Sequence, residues 1–260
     1  MQRSYQNILP PMRTLLHRLA ADGLHLIAPS LCPACDAPLA PAEGRYCLAC
    51  RASLEPAPFP RDIFTEVAAN FSRDELALSA IGALYTFNVH GPVQKLIHAV
   101  KYKGCYELGA ELGSDLGRAL MMFSEFEGVD LIVPVPLHRA RLRERGYNQA
   151  EAIARGIART IRGSRVAAAL VRARHTISQT TLDAGQRRRN VGDVFRAIES
   201  DVRHRIILLC DDVCTTGATL NACAERLLQA GAARVVAATV ARDLSVGRQN
   251  DIVPGLVGNW

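Results

Sequence analysis

The chain has 260 residues, 49% hydrophobic and 22% charged, which is ordinary for a soluble globular protein and excludes collagen-like, low-complexity and disordered classes. At roughly 150 residues per domain this is one large domain, or one medium domain with an appendage. The net charge of +6 admits an anionic partner without naming one, and its distribution says more. From Ile132 to Arg205, sixteen Arg and no Lys stand against six Asp or Glu, a local +10 that leaves −4 for the rest. Arg without Lys suits planar, bidentate recognition of phosphate or carboxylate. The plainer alternative is a chain that uses Arg by habit, since its only Lys are Lys95, Lys101 and Lys103.

In chain order, Thr14 to Ile27 reads as an amphipathic helix interrupted at Gly23, so residues 1–28 are expected to form an N-terminal helix. No stretch reaches the roughly 18 apolar residues of a membrane span, and Arg3, Arg13, Arg18 and Asp22 make a poor signal peptide. No membrane insertion and a cytoplasmic location are therefore expected, where cysteines are thiols or metal ligands rather than disulfides. Residues 29–58 are rich in Pro and Cys and too poor in apolar side chains to fold without a staple. Cys32-Pro-Ala-Cys35 and Cys47-Leu-Ala-Cys50 supply it: two C-x2-C knuckles, eleven residues apart, fit a tetrahedral four-sulfur site for structural Zn²⁺. A redox pair or an iron–sulfur cluster is the alternative.

Residues 59–104 read as a linker with a short helix, then a strand over Ala80–Phe87 and a helix over His90–Lys101. A helix follows over Glu107–Phe123, with Leu108, Leu112, Leu116 and Leu120 on one face. Val129–Val135 is a predicted strand, Asn148–Ile161 a helix, Val166–Val171 a strand and Arg172–Asn190 an Arg-rich loop. Strand Arg205–Leu209, helix Ala218–Ala230 and strand Val235–Val240 close the pattern. Continuous apolar strands alternating with helices indicate an α/β core, a parallel sheet covered on both faces. Cys105, Cys210, Cys214 and Cys223 have no C-x2-C partner and read as packing residues.

The richest segment is Ile206 to Leu220. A buried strand ends in Asp211 and Asp212 and leads through Cys214 into Thr215-Thr216-Gly217-Ala218-Thr219, which opens a helix. Backbone N–H groups at a helix start, with Gly217 allowing close approach, make a site for a phosphate monoester. The carboxylates could accept hydrogen bonds from ribose hydroxyls or help hold a hydrated Mg²⁺. An ordinary strand end with capping residues is the plain alternative.

This segment resembles the 5-phosphoribosyl-1-pyrophosphate (PRPP) signature of type I phosphoribosyltransferases. The wider chain, from Cys32 to Arg242, resembles the ComF family, also called GntX-type or amidophosphoribosyltransferase-like proteins, which join a four-cysteine zinc ribbon to such a domain. Its markers are Leu96–Gly104 (LIHAVKYKG), Val133–His138 (VPVPLH), Arg145–Gln149 (RGYNQ), Arg174–Leu182 (RHTISQTTL) and Arg189–Phe195 (RNVGDVF). The resemblance implies a type I phosphoribosyltransferase fold over residues 105–260, with the hood of the site in 59–104. It also implies a pyrophosphate subsite near His138, Arg139, Arg145 and Asn148, and a lid carrying Arg174, Thr176 and Gln179. Lys101, Tyr102 and Lys103 either reach the pocket or lie at a surface helix end.

Two functions follow as expectations. One is an enzyme that moves ribose 5-phosphate from PRPP, with Mg²⁺, to a nitrogen acceptor, Asp211 and Asp212 being the catalytic pair. The other is a non-catalytic PRPP- or nucleic-acid-binding adaptor of DNA uptake, the process with which the family is associated. A DNA partner would use the +10 block, although an aromatic fraction of 5% is a poor platform for stacking bases.

Overall fold

The computed structural model describes residues 30–41, 43–172 and 194–244. The predicted helix over 1–28 and the lid residues Arg174, Thr176 and Gln179 lie outside them. The chain divides into two compact units, Met1–Ala52 and Ser53–Trp260.

In the first unit the two cysteine knuckles face a small apolar set of Ala34, Leu39 and Tyr46. Leu31 bridges Pro38, and the Cys32 amide donates to the Ala37 carbonyl at 2.8 Å, which closes the first knuckle. The second knuckle runs into α1 (Leu48–Ser53), with Arg51 lying 4.2 Å above the buried Tyr46 ring.

The second unit is built on five strands: β1 (Ile81–Phe87), β2 (Leu131–Pro134), β3 (Arg165–Val166), β6 (Ile206–Cys214) and β7 (Arg234–Asp243). Two further short strands, β4 (Leu170–Arg172) and β5 (Phe195–Ala197), form an antiparallel ribbon. The five pair in parallel in the order β1-β7-β6-β2-β3. No residue of β6 or β7 is exposed and most are buried, as a sheet covered on both faces requires. The helices are α2 (Pro60–Ala68), α3 (Pro92–Tyr102), α4 (Tyr106–Leu120), α5 (Arg139–Arg145), α6 (Gln149–Ala158), α7 (Glu199–Val202) and α8 (Ala218–Gln229).

One face of the sheet packs Ile207, Leu209, Val235 and Ala237 against Leu220, Cys223 and Leu227 of α8, with Ile63 and Val67 of α2 in the same core. On the other face α6 lies against β6, where the Cys210 thiol meets the Ala150 carbonyl at 3.4 Å. Helices α4 and α6 cross at backbone contact. A Cβ on Gly113 would stand 2.1 Å from the Ile153 carbonyl oxygen, and one on Gly156 would stand 2.0 Å from that of Ala110. No other residue type fits either position.

Three expectations are corrected. The run Val166–Val171 is not one strand. Val166 ends β3, the Ala167 amide still reaches the Ile132 carbonyl, and the Ala169 carbonyl already accepts from Ile198 toward the β4–β5 ribbon. Strand β6 extends to Cys214 rather than stopping at Leu209, because β7 runs on to Asp243 and supplies partners, pairing Asp211 with Thr239 and Cys214 with Arg242. The segment between the strand expected to end at Val135 and the helix expected from Asn148, where no element was expected, contains α5; all seven of its positions lack a buried side chain.

The topology locates a crevice. From β2 the chain moves outward to β3, and from β6 it moves the opposite way, through α8, to β7. The carboxyl ends of β2 and β6 are thus a topological switch point, where open α/β sheets bind ligands.

Candidate functional site

Both arms of that crevice carry the predicted residues. From β6, Asp212 is buried and Asp211 half-buried. The Asp211 Oδ1 accepts the Asp212 amide at 2.8 Å, and the Asp212 Oδ1 pairs with the Lys101 ammonium at 2.9 Å. The second oxygen of Asp212, Oδ2, is buried and has no hydrogen-bond partner among the described residues. Burial, and then the neighbouring Asp212 charge, push the Asp211 carboxyl up to about 7; the Asp212 amide, Lys101 and Arg145 pull the other way.

Lys101 is delivered to Asp212 by the last turn of α3. Its neighbour Tyr102 accepts from Arg145 Nη2 through its hydroxyl at 3.1 Å, and the Arg145 guanidinium lies 4.8 Å from the Tyr102 ring centre. Arg145 Nη1 donates to Gln149 at 2.9 Å, while its buried Nε has no partner among the described residues. The Tyr147 hydroxyl donates to the Val100 carbonyl and ties the same stretch to α3. The Arg145–Gln149 motif thus docks on the end of α3 rather than standing in solvent.

Asn148 is used by the backbone. It caps α6 by accepting the Ala150 amide at 3.1 Å, and its Nδ2 donates to the Val135 carbonyl at 3.0 Å. That fixes the turn after β2. His138 likewise caps α5, accepting the Ala140 amide through Nδ1 at 3.3 Å, and His138 and Arg139 are exposed. Arg141 and Arg143 are exposed too; Arg141 lies near enough to Arg172 that its charge, after desolvation of Arg172 over Phe195, lowers the Arg172 pKa.

The loop from Cys214 to Thr219 runs from buried Cys214 through exposed Thr215 and half-buried Thr216 to Gly217, then to exposed Ala218 and Thr219 in the first turn of α8. Gly217 has φ +80°, and a Cβ there would stand 2.4 Å from Val67 of α2. Left-handed backbone and close contact both demand glycine. The first N–H groups of α8 lack intrahelical acceptors and suit an anion. Burial raises the Cys214 thiol above its ordinary range, so it stays protonated and inert at neutral pH.

Sequence reasoning missed three residues around this loop. Arg242 on β7 donates to the Cys214 carbonyl at 3.3 Å and to the Thr215 carbonyl, Glu66 on α2 pairs with Arg242 at 3.3 Å, and Asn70 donates to the Thr216 carbonyl at 3.3 Å. No local signal marked them: Arg242 lies just past the strand expected over Val235–Val240, and Glu66 and Asn70 sit in the stretch read as a linker with a short helix.

In the first unit the four predicted ligands come together: the sulfurs of Cys32, Cys35, Cys47 and Cys50 all lie within 4.8 Å of one another. Cys35 and Cys47 are 3.6 Å apart, close to the roughly 3.8 Å edge of a zinc tetrathiolate. Backbone amides of Cys47 and Cys50 point at the sulfurs of Cys32 and Cys47 at 3.4 and 3.3 Å, the second-layer donors such thiolates use. Burial raises the Cys32 thiol, but hydrogen bonds from Cys47, Ala34 and Cys35 outweigh this and bring it to about 7, while burial and its thiol neighbours push Cys50 well up. The cluster could hold a metal ion, which would bind its four sulfurs as thiolates.

Residues 143–252 match the model of the phosphoribosyl transferase domain. The DNA utilization protein YhgH of Escherichia coli K12 is 34% identical over 147 residues, covering 55% of this chain and 64% of its own. Competence protein F of Haemophilus influenzae is 36% identical over 104 residues, 39% of this chain and 45% of its own. Competence protein ComFC of Bacillus subtilis is 25% identical over 221 residues and spans 82% of this chain and 85% of its own. The matched region thus spans just under two thirds of the E. coli protein. The solved allosteric regulatory enzyme of purine biosynthesis overlays on 54% of this chain and 29% of its own at 19% identity, with a TM-score of 0.38, too loose to add to these matches. Among the described residues no helix is long and apolar enough to cross a membrane. A parallel phosphoribosyltransferase-type sheet, a four-cysteine cluster ahead of it in the sequence and competence proteins among its relatives all support the resemblance to the ComF family.

Proposed function

We propose that the crevice between β2 and β6 binds PRPP and that the protein transfers its ribose 5-phosphate to a nitrogen acceptor. The observation that carries this reading is the Asp212 carboxylate, buried with one oxygen on Lys101 and the other unpartnered among the described residues, three residues before the loop that opens α8. A ribose ring anchored by its 5-phosphate on residues 215–219 would present its vicinal hydroxyls to Asp211 and Asp212. The bond from C1 to pyrophosphate oxygen breaks with its electron pair on pyrophosphate, the acceptor nitrogen bonds to C1, and that nitrogen gives up a proton. Positive charge developing on the ribosyl centre is stabilised by the two carboxylates. Arg145, with His138 and Arg139 on the β2 arm, would offset charge on the pyrophosphate. The hard oxygen donors of the Asp pair fit a hydrated Mg²⁺, which when bound supplies further neutralisation of the leaving group. In the first unit the cysteine cluster would hold one structural Zn²⁺, four ligands leaving no open position.

A second reading keeps PRPP binding without turnover, in an adaptor acting on DNA. The names of the relatives and the local +10 favour it. The test incubates the protein with Mg²⁺, PRPP and a panel of purine, pyrimidine and amine acceptors and measures pyrophosphate release. Acceptor-dependent release that disappears in Asp212→Asn supports transfer. Binding without release across the panel supports the adaptor, and absence of PRPP binding removes both.

A further inference from the structure

Arg242 is a cation placed where a strand would ordinarily keep an apolar residue. It lies in β7 beside Val240 and Ala241, its side chain is 4% exposed, and its register partners are Cys214 on β6 and Thr86 on β1. Burying a guanidinium costs several kcal/mol unless its donors are used, and the Nε has no partner among the described residues. Its other nitrogens hold the carbonyls of Cys214 and Thr215, the two residues at which β6 becomes the loop, and Glu66 of α2.

The consequence follows from peptide geometry. In a planar trans peptide the C=O and the next N–H point in opposite directions. A guanidinium that draws in the carbonyls of Cys214 and Thr215 therefore turns the N–H groups of Thr215 and Thr216 outward, to the side on which Thr215 is exposed. Asn70 holds the Thr216 carbonyl, the Gly217 amide turns instead to the Cys214 sulfur, and Val67 closes the space behind Gly217. The guanidinium also puts a fixed positive charge directly behind an anion-binding loop.

We propose that Arg242 is a positioning residue for the loop: by clamping the Cys214 and Thr215 carbonyls it aims the Thr215 and Thr216 amides at the 5-phosphate, and Glu66 ties helix α2 to the same clamp. This rests on the reading of the loop as a 5-phosphate site.

The test titrates ribose 5-phosphate, PRPP and pyrophosphate calorimetrically into the wild type, Arg242→Met and Arg242→Lys, with thermal unfolding of each. Arg242→Met is expected to weaken ribose 5-phosphate and PRPP by at least about tenfold and leave pyrophosphate within about twofold. Arg242→Lys, which keeps charge and most of the volume but reaches one carbonyl, falls between. A wild type that binds neither ribose 5-phosphate nor PRPP overturns the site reading itself. A binding wild type with unchanged affinity in the folded variants overturns only the role of Arg242. Equal losses for all three ligands, or a lowered melting temperature at unchanged affinity, also overturn it, because they mark a purely structural residue. Should Arg242→Met not fold, the comparison is read on Arg242→Lys.

Discussion

Two places in this molecule crowd acidic groups together, and they manage the resulting charge in opposite ways. In the cysteine unit, four sulfurs lie within 4.8 Å of one another, backed by amide donors and a very small apolar core. In the sheet unit, Asp211 and Asp212 are adjacent, but Lys101 engages one oxygen of Asp212, Arg145 lies near, and Asp211 takes up a proton near neutrality. The first cluster could be filled completely by one external cation. The second is balanced from within and keeps one buried oxygen open. A closed arrangement suits structure, and an open one suits a ligand.

Withdrawing the external cation should have the larger effect. Chelation at neutral pH, or Cys47→Ser, is expected to remove one equivalent of bound zinc and abolish the near-ultraviolet signal of the buried Tyr46, since binding energy is folding energy in a unit this small. The sheet unit should still melt cooperatively. A preparation with well under one equivalent of metal and an unaltered Tyr46 signal would show that the two clusters are not so different.

Withdrawing the internal cation comes next. Lys101→Met leaves the Asp212 carboxylate buried without its partner and is expected to cost about 3 kcal/mol in urea unfolding at pH 7. Adding Asp212→Asn in the same chain should recover most of that loss, because the cost lies in the stranded charge. A double variant no more stable than Lys101→Met would mean that Lys101 acts through packing of its stem on α3.

Much of this contrast was legible beforehand, and the remainder was hidden for identifiable reasons. The C-x2-C spacing and the run from Ile206 to Thr219 are local, so ligands, carboxylates and loop could be read from adjacent letters. Helix α8 announced itself through apolar spacing and Gly217. Helix α5 did not, because Arg139–Arg145 buries no side chain and leaves no hydrophobic period to detect. The run Val166–Val171 is apolar throughout although it passes from one sheet to another and leaves Ala168 and Val171 exposed, and composition does not record a change of partner. Lys101 and Arg242 meet the site only through tertiary folding: 111 positions separate Lys101 from Asp212, and 176 separate Arg242 from Glu66. Their charge was visible, but their destinations were not.

The smallest expected effect is the most diagnostic, because its sign is opposite to the others. Asp211 has a folded pKa raised from an ordinary 3.8 to about 7, chiefly by burial and by Asp212. Between those values the folded state holds a proton that the unfolded chain releases, so its contribution to stability is full below about pH 4 and is lost as pH rises through 7. At and above neutrality the ionised carboxylate opposes folding. Asp211→Asn keeps the oxygen that accepts the Asp212 amide and removes that opposing charge. It should therefore stabilise the protein at pH 8 by on the order of 2 kcal/mol, a figure that allows for partial solvent access. The gain should shrink to nothing near pH 4, as followed by urea unfolding across that range, while PRPP affinity falls. A variant more stable yet unable to bind is what a preorganised ligand site produces, since the strain it relieves is held for the ligand. An Asp211→Asn protein equally stable with wild type at every pH would place Asp211 among ordinary solvated carboxylates and leave Asp212 alone to meet the ribose.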